Sequence, residues 1–153
     1  FDALTFSAWV RVEGLDRWLS SLLLTDGFDP GEPHWQISDS GELILGIQTG
    51  KGKPNTISPA VILPEDLGRW IHLAVTADRS SGKIVHYLDG EAVTIDHRTY
   101  LPPFRLGGSE IGNWRSKELT HPLRSLNGRI DEFLVMRRAL EADEIRAIYE
   151  SGR

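Results

Sequence analysis

The chain of 153 residues contains no cysteine. That absence excludes a disulfide framework, a thiolate zinc site and a cysteine nucleophile, though it says nothing about compartment. There is no basic surplus either. Lys and Arg number 17 against 22 Asp and Glu, a formal charge of −5, where a nucleic-acid binder carries a basic patch or stripe. Apolar runs stay well short of the ~18 residues a membrane helix needs, and no signal peptide is visible. Direct membrane insertion and nucleic-acid binding are therefore set aside. What is present is an acidic chain, 40% hydrophobic, of the length of one domain, with five Trp that need explaining.

The dominant period is two. Leu4, Phe6, Ala8, Val10 and Val12 alternate with Thr5, Ser7, Trp9 and Arg11, the pattern of a half-buried strand. Apolar or alternating runs follow at 18–24, 34–38, 42–49 and, more weakly, 56–63. Ile71, Leu73, Val75 and Ala77 share one face of a strand over 69–78, with Trp70, His72, Ala74, Thr76 and Asp78 on the other. Asp89-Gly90 predicts a tight hairpin turn between strands 83–89 and 91–96, because both residues tolerate the positive φ such a turn requires. Strands over 104–106 and 127–137 complete the β portion, with 107–125 read as a polar surface loop. The period then lengthens. Leu140, Ile145, Ile148 and Tyr149 lie at helical spacing, Glu141, Asp143 and Glu144 crowd the first turn, and Gly152 stands where the helix stops. About ten short strands and one terminal helix predict an all-β, antiparallel two-sheet sandwich or jelly roll forming one domain over 1–153.

Several strings resemble one family. Leu4-Thr5-Phe6-Ser7-Ala8-Trp9-Val10-Arg11 is similar to the opening strand of laminin-G-like, concanavalin A-like lectin/glucanase jelly-roll domains. Arg69 to Asp78 resembles their central W-x-H-x-A-x-T-x-D strand, Gly82 to Glu91 the hairpin that follows, and Leu126 to Phe133 with Arg138-Ala139-Leu140 the last strand before a short helix. The stretch from Leu22 to Phe28, with His34 to Ile37, resembles a bacterial subgroup found as the outer domain of anti-sigma regulators similar to iron-dicitrate sensors. The chain departs from the pattern at His86, usually apolar, at Glu141, often a Ser cap, and in a strand expected ahead of Leu4. The resemblance implies a non-catalytic, extracytoplasmic module of a larger exported bacterial protein. Its ligand would be a carbohydrate or, alternatively, a protein partner in a sensory regulator.

The candidate site residues follow from this. Trp9, Trp70 and His72 lie opposite the apolar face of their strands; an open face would let them stack on sugar rings, whereas a loop or the terminal helix would make them structural. Trp114, in a polar loop with Asn113, Arg115 and His121, is the best single candidate for a stacking side chain, with an anchor over the core as the other reading. Trp35 pairs with Ile37 as core, and Trp18 opens a strand. Asp26, Asp29 and Glu32, followed by His34, are candidate calcium ligands, since calcium takes several carboxylate and carbonyl oxygens; the other reading is a solvated acidic loop. Asp78 and Asp131 are further metal candidates by family position. Asp131 shares parity with Phe133 and is expected to point inward, and His86 is expected in the core. No catalytic constellation emerges. The family's glucanases place acids as E-x-D-x-x-E on one strand; no such string occurs here, Asp131 and Glu132 are adjacent and so face opposite sides, and the five His lack ligand spacing.

Overall fold

In the computed structural model, which describes residues 1–50, 52, 54–114 and 123–152, ten strands form two antiparallel sheets. The strands are β1 (Ala3–Val12), β2 (Leu19–Thr25), β3 (Pro33–Ser38), β4 (Glu42–Ile47), β5 (Asn55–Ala60), β6 (Trp70–Asp78), β7 (Lys83–Leu88), β8 (Glu91–His97), β9 (Ser109–Ile111) and β10 (Gly128–Met136), followed by helix α1 (Ala142–Ser151). The first sheet runs β10-β1-β6-β7-β8 and the second β5-β4-β3-β2-β9. This is the expected sandwich with its terminal helix.

The alternation in β1 explains the core. Leu4, Phe6, Ala8, Val10 and Val12 are all fully buried between the sheets, against Ile71, Leu73, Val75 and Ala77 from β6. Trp35, Ile37, Leu43, Leu45 and Ile47 face them from the second sheet, with Phe6 and Trp35 in ring contact at 5.9 Å. A register shift between Ser21 and Leu23 in β2 turns both Leu22 and Leu23 into this core. The expected hairpin forms as well, with Asp89 and Gly90 at φ 48° and 80° between β7 and β8.

The outer face of the first sheet is not open. Leu140 and Ile145 pack onto Ala74, Val85 and Tyr87, with Leu134, Met136 and Ile148 around them. Burying each such aliphatic side chain stabilises by roughly 1.5–3 kcal/mol. Two polar contacts fix the helix start. Thr5 Oγ1 accepts the Leu140 N–H at 2.9 Å, and Glu144 Oε2 accepts the Glu141 N–H at 2.9 Å. Glu144 also holds a bidentate pair with Arg138, so a Glu at the cap is compatible with a well-secured first turn.

Three expectations are corrected. Phe104 to Leu106 is not a strand; Phe104 buries its ring and bonds its N–H to the Phe1 carbonyl at 2.8 Å, which serves the core without a ladder. The polar segment after it contains β9, which pairs with β2 as the edge of the second sheet. Asp131 is exposed, not inward: the β1–β10 register shifts between Ser7 and Trp9, Glu132 takes φ 48°, and the Asp131 carboxylate accepts the Glu132 N–H at 2.8 Å. A bulge resets alternation, so parity counted from Phe133 does not carry across it. His86 is in the core as expected, with Nε2 3.2 Å from Thr56 Oγ1 and burial pushing its pKa down to about 4.

Candidate functional site on the second sheet

With α1 on the first sheet, no described helix covers the outer face of the second. Alternation on β3 sends Trp35 and Ile37 inward and His34, Gln36 and Ser38 outward. Their cross-strand partners extend the same face: Leu19 and Ser21 on β2, Ile44 and Gly46 on β4, then Asn55 and Ile57 on β5. Of these, His34, Gln36, Ser38, Leu19, Ile44, Asn55 and Ile57 line a groove of about 830 Å³ together with Trp18, Phe28, Glu42, Trp114 and Arg124.

Each wall has a local cause. Gly46 presents no side chain; a Cβ there would come within 2.8 Å of Asn55 Oδ1 and touch the Phe28 ring at 3.4 Å, so the glycine leaves room for the Asn55 side chain beside Phe28. His34 sits between Phe28 and Trp114, with ring centroids 4.5 and 5.7 Å away. Its Nε2–H donates to the Gly27 carbonyl at 2.7 Å, which fixes the neutral tautomer and pins the loop. Burial lowers the His34 pKa, the Gly27 bond opposing it in part. Trp114 spends its indole N–H on the Thr25 carbonyl at 3.0 Å. Arg124 then lies across it, its guanidinium carbon 4.4 Å from the Trp114 ring and 5.2 Å from that of Trp18. The Arg124 carbonyl accepts the Ser21 N–H at 2.8 Å, so the strand edge places this residue. Burial pushes the guanidinium pKa down.

The floor carries polar atoms without partners. Ser21 Oγ, Gln36 Oε1 and Arg124 Nε are enclosed and make no hydrogen bond. Trp18 is 61% exposed and Ile57 48% exposed. Aromatic and aliphatic faces beside unspent hydrogen-bonding groups are what an amphipathic, hydroxyl-rich ligand requires.

The sequence candidates fall in different places. Trp114 lines the groove, and Asn113 beside it donates its amide to Glu110 at 3.0 Å. Arg115 and His121 lie outside the described residues. Trp9 and His72 are on the first sheet, beneath α1. Tyr149 stacks on Trp9 at 5.6 Å, and His72 is 1% exposed with Nε2 2.8 Å from Ser7 Oγ. They do not form an open face, because Ile145 and Leu140 draw the helix over it. Trp70 remains 41% exposed and borders a separate hollow of about 350 Å³ with Trp9, Asp131, Glu132 and Gly152.

Asp26 and Asp29 border the groove, but Glu32 is committed to Arg105 at 3.1 Å and to the Asp29 N–H at 2.9 Å. Asp78 accepts from Ser80 and Ser81 in a turn of the first sheet, which also holds its pKa below the ordinary value. Among the described residues, no three His, Cys, Asp or Glu side chains converge to hold a metal ion. The sequence reading missed Trp18, Phe28, His34, Gln36 and Arg124 as groove residues. The signal available was the polar alternation His34, Gln36, Ser38 opposite two core positions; nothing local linked Arg124 to it.

A laminin-G-type family model described as the concanavalin A-like lectin/glucanases superfamily matches residues 1–146. No curated protein sequence matches. Among solved structures, the CBM40 module of a Ruminococcus gnavus sialidase bound to α2,3-sialyllactose is similar, with a TM-score of 0.76, 18% identity, and coverage of 97% of this chain and 82% of that one. A candidate carbohydrate-binding protein of Bacteroides ovatus gives 0.72 and 21% over 95% of this chain, which spans 40% of it. The NanB sialidase of Streptococcus pneumoniae gives 0.77 and 17% over 96% of this chain, which spans 24% of it. At these identities the likeness establishes the fold.

Proposed function

This chain belongs to the concanavalin A-like lectin/glucanases superfamily, and we propose that it is a non-catalytic module that recognises carbohydrate in the groove of the second sheet. The observation that carries the reading is the groove itself: Trp18, Phe28 and Trp114 supply apolar faces, while Gln36, Ser38 and Asn55 supply donors and acceptors along one open sheet face. Pyranose rings present both kinds of surface. The solved structures of similar fold, with a sialyllactose-bound module among them, support the same reading.

Catalysis finds no support in the groove. Hydrolysis of a glycosidic bond needs two carboxyl groups ~5–9 Å apart across it. Here the floor is Gln36, Ile44 and Ile57, and the acids of the lining stand at its two ends, Asp26 and Asp29 in the β2–β3 loop and Asp39 and Glu42 beside the β3–β4 turn, where Glu42 accepts from Ser38 Oγ at 3.0 Å. Glycan recognition also fits the extracytoplasmic placement expected from the family, as part of a larger exported protein.

A glycan array followed by calorimetry tests this. Saturable binding to one glycan class, weakened about fivefold or more in both Trp18→Ala and Trp114→Ala, is the expected result, since one lost stacking contact is worth ~1 kcal/mol or more. Silence across the array by a folded protein overturns the proposal and favours a protein ligand instead.

A further inference from the structure

Arg124 is held in an unusual way for a surface arginine. Its guanidinium carbon lies over two indoles, that of Trp114 at 4.4 Å and that of Trp18 at 5.2 Å. Its Nε is enclosed without an acceptor. Among the described residues it has no carboxylate within ion-pair distance and no side-chain hydrogen bond. It sits beside Ser21, whose N–H it accepts, and Ser21 faces Gln36 across the ladder, each with a further unspent polar atom. Desolvating a charge without a partner costs free energy unless an acceptor arrives. A guanidinium packed against indole rings meets an acceptor best in its own plane, where two parallel N–H groups match a planar carboxylate.

From this we infer that the groove selects an acidic sugar, with the carboxylate of a uronic or other sugar acid seated on Arg124 between Trp18 and Trp114. The inference rests on the reading of the groove as a saccharide site. The rest of the lining limits the ligand further. Asp29, Asp39 and Glu42 border the same groove. Asp39 and Glu42 flank the β3–β4 turn at one end, and Asp29 lies in the β2–β3 loop at the other, 3.8 Å from Arg105. Arg124, by way of Ser21 and Gln36, lies over the middle of β2 and β3. An extended polyanion therefore meets repulsion on both sides of one attractive point. A ligand with a single carboxylate, its neighbouring sugar hydroxyls donating to the outer acids, does not. The device is one cation for one carboxylate.

The test is an array and calorimetric series of matched oligosaccharides in four forms: neutral, carrying one sugar acid, the methyl ester of that acid, and multiply sulfated. We expect the free acid to bind at least tenfold more tightly than its ester or the neutral form, and the sulfated chain to bind no better than the neutral one. The preference should vanish in Arg124→Gln and survive in part in Arg124→Lys. Equal affinity for acid, ester and neutral forms overturns the assignment to Arg124 while leaving the saccharide groove standing. No binding of any form overturns both. Strongest binding of the sulfated chain overturns the single-carboxylate argument. The ester comparison uses the unaltered protein, so the result holds even if the Arg124 variants fail to fold.

Discussion

Two histidines give the sandwich an acid limit that can be worked out in advance. His72 and His86 are 1% and 0% exposed, and burial lowers the pKa of each from 6.5 to about 4. His72 bonds Ser7 through Nε2 and His86 lies against Thr56 through Nε2; in both rings Nδ1 has no partner. Protonation would place an N–H and a charge where nothing accepts them. The nearest acids, Asp89 for His72 and Asp96 for His86, raise the pKa but do not offset the desolvation. Above pH 6.5 both rings are neutral whether the chain is folded or not, so no differential arises. As pH falls from 6.5 toward 4 the unfolded chain takes up protons that the native state refuses, and stability drops. The loss is about 2 kcal/mol per ring at pH 5 and about 3 kcal/mol below pH 4. That is a large part of a typical domain stability of ~5–15 kcal/mol. Urea unfolding at pH 7.5 and pH 5 should show the fall, and His72→Gln or His86→Gln should each lessen it by about 2 kcal/mol. If both variants lose as much stability as the unaltered protein over this range, the reasoning is wrong. NMR titration gives an independent reading, since rings that charge near pH 6.5 in the native state would refute it directly.

Three other outcomes follow from the packing. Trp70→Ala should leave glycan binding within twofold, measured by calorimetry, because Trp70 lies on the sheet opposite the groove. Ile145→Ala should cost about 2–5 kcal/mol in chemical denaturation and red-shift tryptophan emission, as Trp9 loses its cover of Tyr149; an unshifted spectrum would show that α1 stays docked without its buried anchor. Gly82→Ala should lower stability by about 1–3 kcal/mol, because Gly82 holds φ 69° and a Cβ there would collide with the Arg98 carbonyl; a melting midpoint within a degree of the original would contradict this.

The legible parts of the sequence were those where one element buries one face against an expected neighbour. Alternation in β1 and β6 predicts the inter-sheet core residue by residue, and Asp89-Gly90 predicts its hairpin from backbone sterics alone. Alternation is a local rule, and it failed where a non-local feature intervened. The bulge opposite Trp9 turned Asp131 outward, and β9 hides in a polar stretch because three residues at a sheet edge need no apolar period.

The site shows the same division. Trp114 was recognisable as a large aromatic in a polar segment, since such a side chain has to rest on something. Its partner Arg124 was not, because the pair meets through a loop closure that no periodicity records. Likewise Trp9, Trp70 and His72 carried the right chemistry for an open sugar-binding face, but periodicity cannot say which of two sheets a helix will cover.

The sequence by itself determined a two-sheet sandwich, its hydrophobic interior, its hairpins and its terminal helix, because each follows from side-chain spacing and backbone sterics over a few residues. Only the tertiary structure decided where a ligand can sit. Leu140 and Ile145 buried themselves on the first sheet and closed it. Among the described residues no helix covers the second sheet, where an arginine lies against two indoles beside unspent polar atoms. Which face is covered is settled by the docking of elements far apart in the chain, and docking energy is a property of the assembled surfaces.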